Sequence, residues 1–452
     1  MTDQPNILVL FNDDHGQWAL PSYGNSELRT PSIDYLAQSG VVMENAFTPI
    51  PVCSPARACF FTGLLPSQHG IHDYIAAARE FHTREWMKPF ETLPEKLCKA
   101  GYECGFSGKW HLGRDELVQN GFSDWFALSG DYPIQHKGVY RYSDNGRDVE
   151  LAGYKTHHIT DRTIRFLQCR DKNAPFFHFT SFYATHSPWS GQPERLVEPY
   201  RDCGFDDIPS AERVFGGEVL NIEHSEASDA SKHEAKAQYY ASVSAIDEAV
   251  GRILDELETS GDLENTIILY TSDHGLCLGH HGIWGKGNAT APQNLIEESI
   301  RVPMIYSAQG RYQSGVRLQQ FADHMDSFKT LASAAGVLDY AMTHPGGDLS
   351  ALLQGQNDVW RDFQVAEYGT ARMIRTKQHK LIRRYDNRPD ELFDLSVGDG
   401  EGNNLIADPS YSGVSRDLGD RLEAYFEQHG VPPKDADWFF GDPQFNRAEA
   451  WR

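Results

Sequence analysis

"NILVLFNDD", residues 6–14, decides how the rest of the chain is to be read. Ile7 to Phe11 form an unbroken apolar run with no alternation, too short for a helix of useful length. A strand of that texture has both faces covered, as in a parallel sheet lying between layers of helix. It ends in Asn12-Asp13-Asp14. The texture returns in "PFFHFTSFYATHSPW" (175–189), read as a second buried strand ending near His186. It returns again in "NTIILYTSDHG" (265–275), a third strand ending at Asp273-His274. Helices separate these runs. "TPSIDYLAQSG" (30–40) has Thr30 as N-cap, Pro31 in the first turn and Gly40 as stop. Residues 239–257 carry apolar side chains at 239, 243, 246, 250, 253 and 257, an amphipathic face closed by Gly261. This alternation predicts an α/β fold with a large, mainly parallel sheet sandwiched by helices. Ligands of such sheets bind beyond the carboxyl ends of the strands. Three strand ends carrying Asp-Asp, His and Asp-His therefore point to one chemically equipped rim.

The 452 residues exceed one ordinary core. Residues 1–360 read as the large catalytic domain and 361–452 as a smaller C-terminal α+β subdomain packed on it. Short antiparallel strands are expected there in "ARMIRTKQHKLIRRY" and "DELFDL", with a helix over 415–430. Residues 130–155 and 190–232 read as polar, Gly/Pro-bearing insertions. A net charge of −23 argues against nucleic acid or an anionic membrane as partner. No apolar run approaches the length of a membrane span. The N-terminus lacks the basic start and cleavage site of a signal peptide, which reads as a cytoplasmic protein, or a periplasmic one if a leader has been trimmed. Seven scattered cysteines with no CxxC pair indicate neither a disulfide framework nor a zinc ribbon and suit a reducing compartment. An anionic substrate would have to be drawn by local cations or a metal, against the global field.

Asp13-Asp14 and Asp273-His274 together could hold a cation. A lone Asp-Asp after a strand more often caps a turn; two such pairs at like positions weaken that reading. Carboxylate oxygens suit calcium, and an imidazole pulls toward manganese. "GKWHLG" (108–113) puts Lys109 and His111 on one side of an extended backbone. "THSPW" presents His186, and "GIWGKG" sets Lys286 between glycines. Any one of these is more often a solvated lysine or a packed histidine. Together around a metal they make a cationic pocket for a tetrahedral oxyanion, sulfate or phosphate. In "PVCSPARACFFTG" (51–63), Ser54-Pro55 begin a helix. Cys53 then lies where the helix dipole favours negative charge, and Arg57, one turn on, can hold an anion. Cys59 reads as a core thiol.

Cys53-Ser54-Pro55-Ala56-Arg57 resembles the C-x-P-x-R signature of the type I sulfatases, formylglycine-dependent members of the alkaline-phosphatase-like superfamily. "NILVLFNDDHG", "TPSIDYLAQSGVVMENAF", "LLPSQHGI", "GYECGFSGKWHLG", "SDHG" and "ELFDL…NNL" resemble that family's blocks in order, from residue 6 to about 405. The resemblance implies that a separate maturation enzyme oxidises Cys53 to formylglycine. The hydrated aldehyde would then attack sulfur and expel the alcohol. It further implies Asp13, Asp14, Asp273, His274 and modified Cys53 as ligands of Ca2+, with Mn2+ as second choice. Arg57 and His111 would orient the formylglycine, with His111 the base for breakdown of the sulfated intermediate, and Lys109 would bridge it to the sulfate. His186 and Lys286 would bind sulfate oxygens, one of them protonating the leaving group. His274 stands where many members have Asn, a variant also seen in phosphonate monoester hydrolases and choline-sulfatase-like members. A sulfated sugar or small oligosaccharide is the expected substrate, from the polar insertions and from His72, Arg79, Tyr140 and Arg141; His72 and Arg79 are expected to contact it. The alternatives are a phosphonate or phosphate ester hydrolase with the same nucleophile, an aryl- or choline-sulfatase-like enzyme, and a non-catalytic binding protein that keeps its thiol.

Overall fold

The computed structural model describes residues 4–75, 83–130, 136–208, 217–220, 226–339, 344–356, 359–397 and 400–430. Strand β1 (Asn6–Asn12) is buried along its whole length. Ile7, Val9 and Phe11 enter one core and Leu8 and Leu10 another, which is why the run shows no alternation. Nine further strands complete its sheet: β2 (Val41–Phe47), β3 (Glu103–Gly108), β4 (Asp124–Leu128), β5 (Lys137–Asp144), β6 (Arg147–Tyr154), β7 (Phe176–Ser181), β8 (Thr266–Ser272), β9 (Met304–Ser307) and β10 (Val316–Asp323). Their order is β10-β2-β9-β8-β1-β7-β3-β4-β5-β6. The central run from β8 to β4 is parallel, as is β2 with β10. β9 runs antiparallel to both neighbours, and β4, β5 and β6 pair antiparallel, so the sheet is mixed.

The longer helices of this unit are α1 (Pro31–Ser39), α2 (Cys53–Thr62), α3 (Lys155–Cys169), α4 (Asp229–Ser260) and α5 (His324–Ala334). The second and fifth cover the Ile7 face of the sheet and the other three the Leu8 face. The apolar stripe expected over 239–257 is buried in α4, with Gly261 in the left-handed C-cap at φ +73°. The helix begins ten residues earlier than the stripe, at Asp229. Its first turns, "DASKHEAK", form on propensity and a Ser228 cap, with no apolar face to show in the sequence. At α1 the Thr30 side chain does not cap the backbone. Asp247 of α4 accepts the Ser32 and Ile33 amides at 2.9 and 2.8 Å instead, a cap supplied across the fold.

Two stretches differ from the sequence expectation. β7 stops at Ser181, and His186 follows after a turn. Part of the insertion at 130–155 is the β5–β6 hairpin, which extends the sheet; its turn is Asn145-Gly146 at φ +53° and +79°. That dipeptide is a two-residue hairpin signal, with Tyr140 and Tyr142 facing in and Val139 and Arg141 facing out.

Near the C-terminus, β11 (Phe363–Tyr368), β12 (Ala371–Thr376), β13 (His379–Arg384) and β14 (Glu391–Asp394) form a separate antiparallel sheet in sequence order. Helix α6 (Ser412–Gln428) packs Leu418, Leu422 and Phe426 onto it. The same core takes in Val52, Ala56 and Cys59, so this small sheet is built against the segment that carries Cys53.

Candidate active site

Register assembles the site before any side chain is considered. Asn12 of β1 lies opposite Ser272 of β8, so Asp13-Asp14 and Asp273-His274 leave the sheet side by side. Phe11 pairs with Ser181 of β7, and Ser181 with Gly108 of β3, which brings the start of GKWHLG to the same rim. Gly108 has φ +125°, and a Cβ there would lie 1.8 Å from the Ser181 carbonyl oxygen. Only glycine lets β3 deliver Lys109 at this point. Asp14 and His111 hold φ of +61° and +60°, left-handed conformations costing about 1–3 kcal/mol each and concentrated at functional sites.

Helix α2 begins at Cys53 itself, after Val52 in extended conformation, and all ten of its residues are buried. Arg57, 1% exposed, ties it to four strand ends. Its Nε and Nη2 donate to Asp273 Oδ2 at 3.2 and 3.0 Å, and its Nη1 to the Lys109 carbonyl and Ser181 Oγ at 2.7 Å each. Nη2 also lies 3.4 Å from Asp13 Oδ2.

The three site aspartates each face a cationic side chain: Lys109 on Asp13, Lys286 on Asp14 and Arg57 on Asp273. Cys53 Sγ sits among them, 3.1 Å from Lys286 Nζ, 3.4 Å from His274 Nε2 and 3.5 Å from Asp13 Oδ1. Burial opposes ionisation of this thiol, but Lys109, Lys286 and His274 outweigh it and hold its pKa well below the ordinary value. Cys59, six residues on, is buried without those cations and its pKa is pushed well up, as a core thiol's should be. Burial and the Asp13 charge push Asp273 up to about 6. Burial works against protonation of His274, yet Asp273 carries its pKa up to about 9.

Ligating atoms of Asp13, Asp14, Cys53 and His274 all lie within 4.8 Å of one another. His274 Nδ1 donates to the Gly275 carbonyl at 2.9 Å, so the proton it can give up is the one on Nε2. The lone pair so exposed faces Asp14 Oδ1 and Asp273 Oδ1, each at 3.4 Å. Carboxylate oxygens and one oriented imidazole nitrogen fit a hard divalent cation.

His111 Nε2 donates to the Ile75 carbonyl at 3.1 Å, and burial with the Lys109 charge brings its pKa down to about 4. His186 is half-buried; its Nδ1 donates to the Ser187 carbonyl at 2.7 Å, leaving Nε2 for a ligand. A cavity of about 450 Å3 is lined by Asp14, His186 and Lys286 together with Asp73, Gln293 and Tyr368. His72 is buried on the same segment as Asp73 and does not line it. Arg79 lies outside the described residues. Tyr140 is buried and Arg141 pairs with Asp148 on the surface.

Two residues escaped the sequence reading. Lys155, at the start of α3, is 1% exposed, with Nζ 3.6 Å from the Tyr183 ring centroid and 4.8 Å from that of Tyr140. Burial and the Lys109 charge bring its pKa down to about 7. The available signal was a lysine on the apolar stripe of a helix, in line with Ile159 and Phe166. Asp73 was passed over beside His72, and nothing local marks it.

The sulfatase family model matches residues 5–337, and the model of the N-sulphoglucosamine sulphohydrolase C-terminal region matches 279–428. N-acetylglucosamine-6-O-sulfatase of Bacteroides thetaiotaomicron is 27% identical over 507 aligned positions, covering 95% of this chain and 87% of that protein. A structure solved in complex with its substrate D-glucosamine-2-N,6-O-disulfate superposes with a TM-score of 0.80 at 25% identity, over 94% of this chain and 98% of the other. Phosphonate monoester hydrolase of Agrobacterium radiobacter, at 22% identity and a TM-score of 0.75, shares the fold over 94% of this chain and 96% of its own. With a parallel-centred sheet delivering the motif residues to one rim and the family model spanning most of its length, the chain belongs to the sulfatase family, the enzymes that hydrolyse sulfate esters.

Proposed function

We propose that the protein releases sulfate from a sulfated sugar or small oligosaccharide, using formylglycine derived from Cys53 and a divalent cation, calcium before manganese. The carrying observation is the convergence of three carboxylates, three cationic side chains and His274 on one thiol in a protein of net charge −23. The sugar is supported by the names of the N-acetylglucosamine-6-O-sulfatase relative and the glucosamine disulfate complex.

Asp13, Asp14, Asp273 and His274 would hold the cation together with residue 53. Bound there, it would polarise the nucleophilic oxygen and neutralise sulfate charge. Formylglycine, made by a separate maturation enzyme, would supply that oxygen as its hydrate. The protein's own groups do the rest. Arg57 fixes the angle of α2 against Asp273 and the β3 and β7 ends, so residue 53 cannot turn away from the rim. Lys109 and Lys286, both buried, would bring their charges to sulfate oxygens beside residue 53, where removal from water makes such contacts strong. His111, whose Nε2 proton is committed to Ile75, presents Nδ1 as an acceptor to residue 53 and serves as base. His186, with Nδ1 committed to Ser187, has Nε2 available to protonate the departing alcohol.

Mass spectrometry of the tryptic peptide containing residue 53, from cells with a maturation enzyme, should find the aldehyde. Cys53→Ala should fold and release no sulfate. Active protein carrying only cysteine at 53, or a working Cys53→Ala variant, overturns the nucleophile. A second reading, phosphonate ester hydrolysis, is favoured by His274 in place of Asn. It predicts higher kcat/KM on a phosphonate than on the matched sulfate ester, by orders of magnitude.

A further inference from the structure

Tyr183 lies just past the end of β7 and is 2% exposed. Its carbonyl accepts the His186 amide at 3.1 Å, closing a turn that carries His186 to the rim. The turn is laced to the segment carrying Asp13. The Phe182 amide donates to the Phe11 carbonyl at 2.8 Å, and the Thr185 amide to the Asp13 carbonyl at 2.6 Å. These bonds fix the main chain and leave the His186 ring to be placed by other means. That ring is half-buried and lines the cavity. Among the described residues its nitrogens bond only to Ser187, the Nδ1 atom lying 2.7 Å from the carbonyl and 3.5 Å from Oγ. Contacts within one dipeptide restrain the ring from a single edge.

The Tyr183 ring supplies a second restraint. The His186 ring packs against it with centroids 5.1 Å apart and planes inclined by 47°. Tyr183 is gripped in turn. Lys155 Nζ sits over its ring at 3.6 Å from the centroid and Lys109 Nζ at 5.2 Å, and all three residues are buried. Cation–π attraction strengthens when cation and ring are both withdrawn from water. Lys155 occupies the apolar stripe of α3, where its charge adds a hold on the ring that an aliphatic side chain would not supply. The β5–β6 hairpin completes the grip. His136 and Lys155 flank its open end, next to the paired Lys137 and Tyr154, and the Lys155 amide donates to the His136 carbonyl at 3.0 Å. His136 Nε2 donates to the His186 carbonyl at 2.7 Å. One end of one hairpin thus holds the His186 main chain directly and its ring through Tyr183.

We propose that Tyr183, held by Lys155, is the positioning residue of the leaving-group acid: its ring fixes the tilt of His186 so that Nε2 meets the oxygen of the departing sugar alcohol. This rests on the sulfatase reading above, in which His186 protonates that alcohol. The Nε2 proton passes to the ester oxygen as the S–O bond breaks onto it, leaving His186 neutral. An alkoxide is a poor leaving group and needs the proton, whereas a nitrophenolate departs without it. A misplaced acid therefore shows on sugar esters and spares an activated aryl ester, while a merely structural lesion lowers both.

The test measures kcat/KM, which reports the step that expels the alcohol, for mature wild type, Tyr183→Phe, Tyr183→Leu, Lys155→Met and His186→Gln. The substrates are 4-nitrophenyl sulfate and the best cleaved of the monosulfates of N-acetylglucosamine, N-acetylgalactosamine and galactose. In Tyr183→Leu the sugar-to-aryl ratio should fall about tenfold to a hundredfold, as for a misplaced catalytic group. Tyr183→Phe keeps the ring and should hold the ratio within about threefold of wild type. Lys155→Met should lower it by about threefold to tenfold, and added to Tyr183→Leu should lower it no further. His186→Gln sets the limit, about a hundredfold or more. Where Tyr183→Leu gives no folded protein, Lys155→Met decides by the same ratio. Equal losses on both esters in folded Tyr183→Leu or in Lys155→Met, a Tyr183→Phe as impaired as Tyr183→Leu, or a wild type that cleaves the aryl sulfate and no sugar monosulfate would each overturn the positioning while leaving the sulfatase reading intact. An unchanged ratio in His186→Gln removes the acid from His186 and overturns the positioning with it. A mature wild type that cleaves no sulfate ester overturns the sulfatase reading as well.

Discussion

Arg57 is the residue whose loss the geometry prices most directly. Its guanidinium is 1% exposed and contacts Asp273, Asp13, Ser181 and the Lys109 carbonyl, all of them buried. Arg57→Met keeps much of the volume and leaves Asp273 with His274, 3.4 Å away, in place of its closest cation. Removing one member of a buried ion pair typically costs about 3–5 kcal/mol, because the remaining charge stays desolvated. Over 452 residues the entropy of unfolding is about 0.9 kcal/mol per degree, so the calorimetric midpoint should fall by about 3–6 °C. Turnover should fall further than stability, by about a hundredfold to a thousandfold, as for loss of one preorganised donor. Arg57→Lys, which restores charge without the fork, should recover stability better than activity. Scanning calorimetry and sulfate release on the same preparations measure both. An Arg57→Met midpoint within about 1 °C of wild type, with turnover retained, would refute the idea that this side chain couples α2 to the strand ends.

Metal removal and pH give independent checks. In chelator-treated protein, calcium at a hundredfold its Kd should add about 2.7 kcal/mol, raising the midpoint by about 3 °C. Asp14→Asn should remove most of that shift; no shift with either calcium or manganese would refute the cation. His178, buried between Ser107 Oγ and Thr180 Oγ1, has its pKa pushed by burial down to about 3, against about 6.5 when unfolded. The unfolded chain therefore binds a proton that the folded one does not between those values, and stability is lost as pH falls through that window, by about 1.4 kcal/mol per unit. His178→Gln should flatten the slope of unfolding free energy against pH by about that amount; an unchanged slope would mean that His178 is not held neutral.

The individual motifs were legible because each needs only local chemistry. An apolar run without alternation marks β1, and Ser54-Pro55 after an extended residue mark the start of α2. The Asn145-Gly146 turn was equally legible, and the β5–β6 hairpin it makes was overlooked in favour of a polar insertion. The start of α4 and the cap on α1 were not legible. One rests on propensity without an apolar face, and the other on Asp247, more than two hundred residues from the amides it accepts.

By itself the sequence determined which strands would be buried, that acidic and basic residues would end them, and that Cys53 would sit at a helix start beside Arg57. Those follow from periodicity, capping and motif, all read within a few residues. Only the tertiary structure decided that Asp13, Asp14 and Asp273 each face a cationic side chain and that His274 turns Nε2 into the site. It alone placed Lys155 against Tyr183, and Asp73, hydrogen-bonded to a tyrosine from the far C-terminal sheet, on the cavity wall. Such pairings depend on strand register and on which elements pack side by side, and contacts between residues hundreds of positions apart leave no periodic trace in the chain.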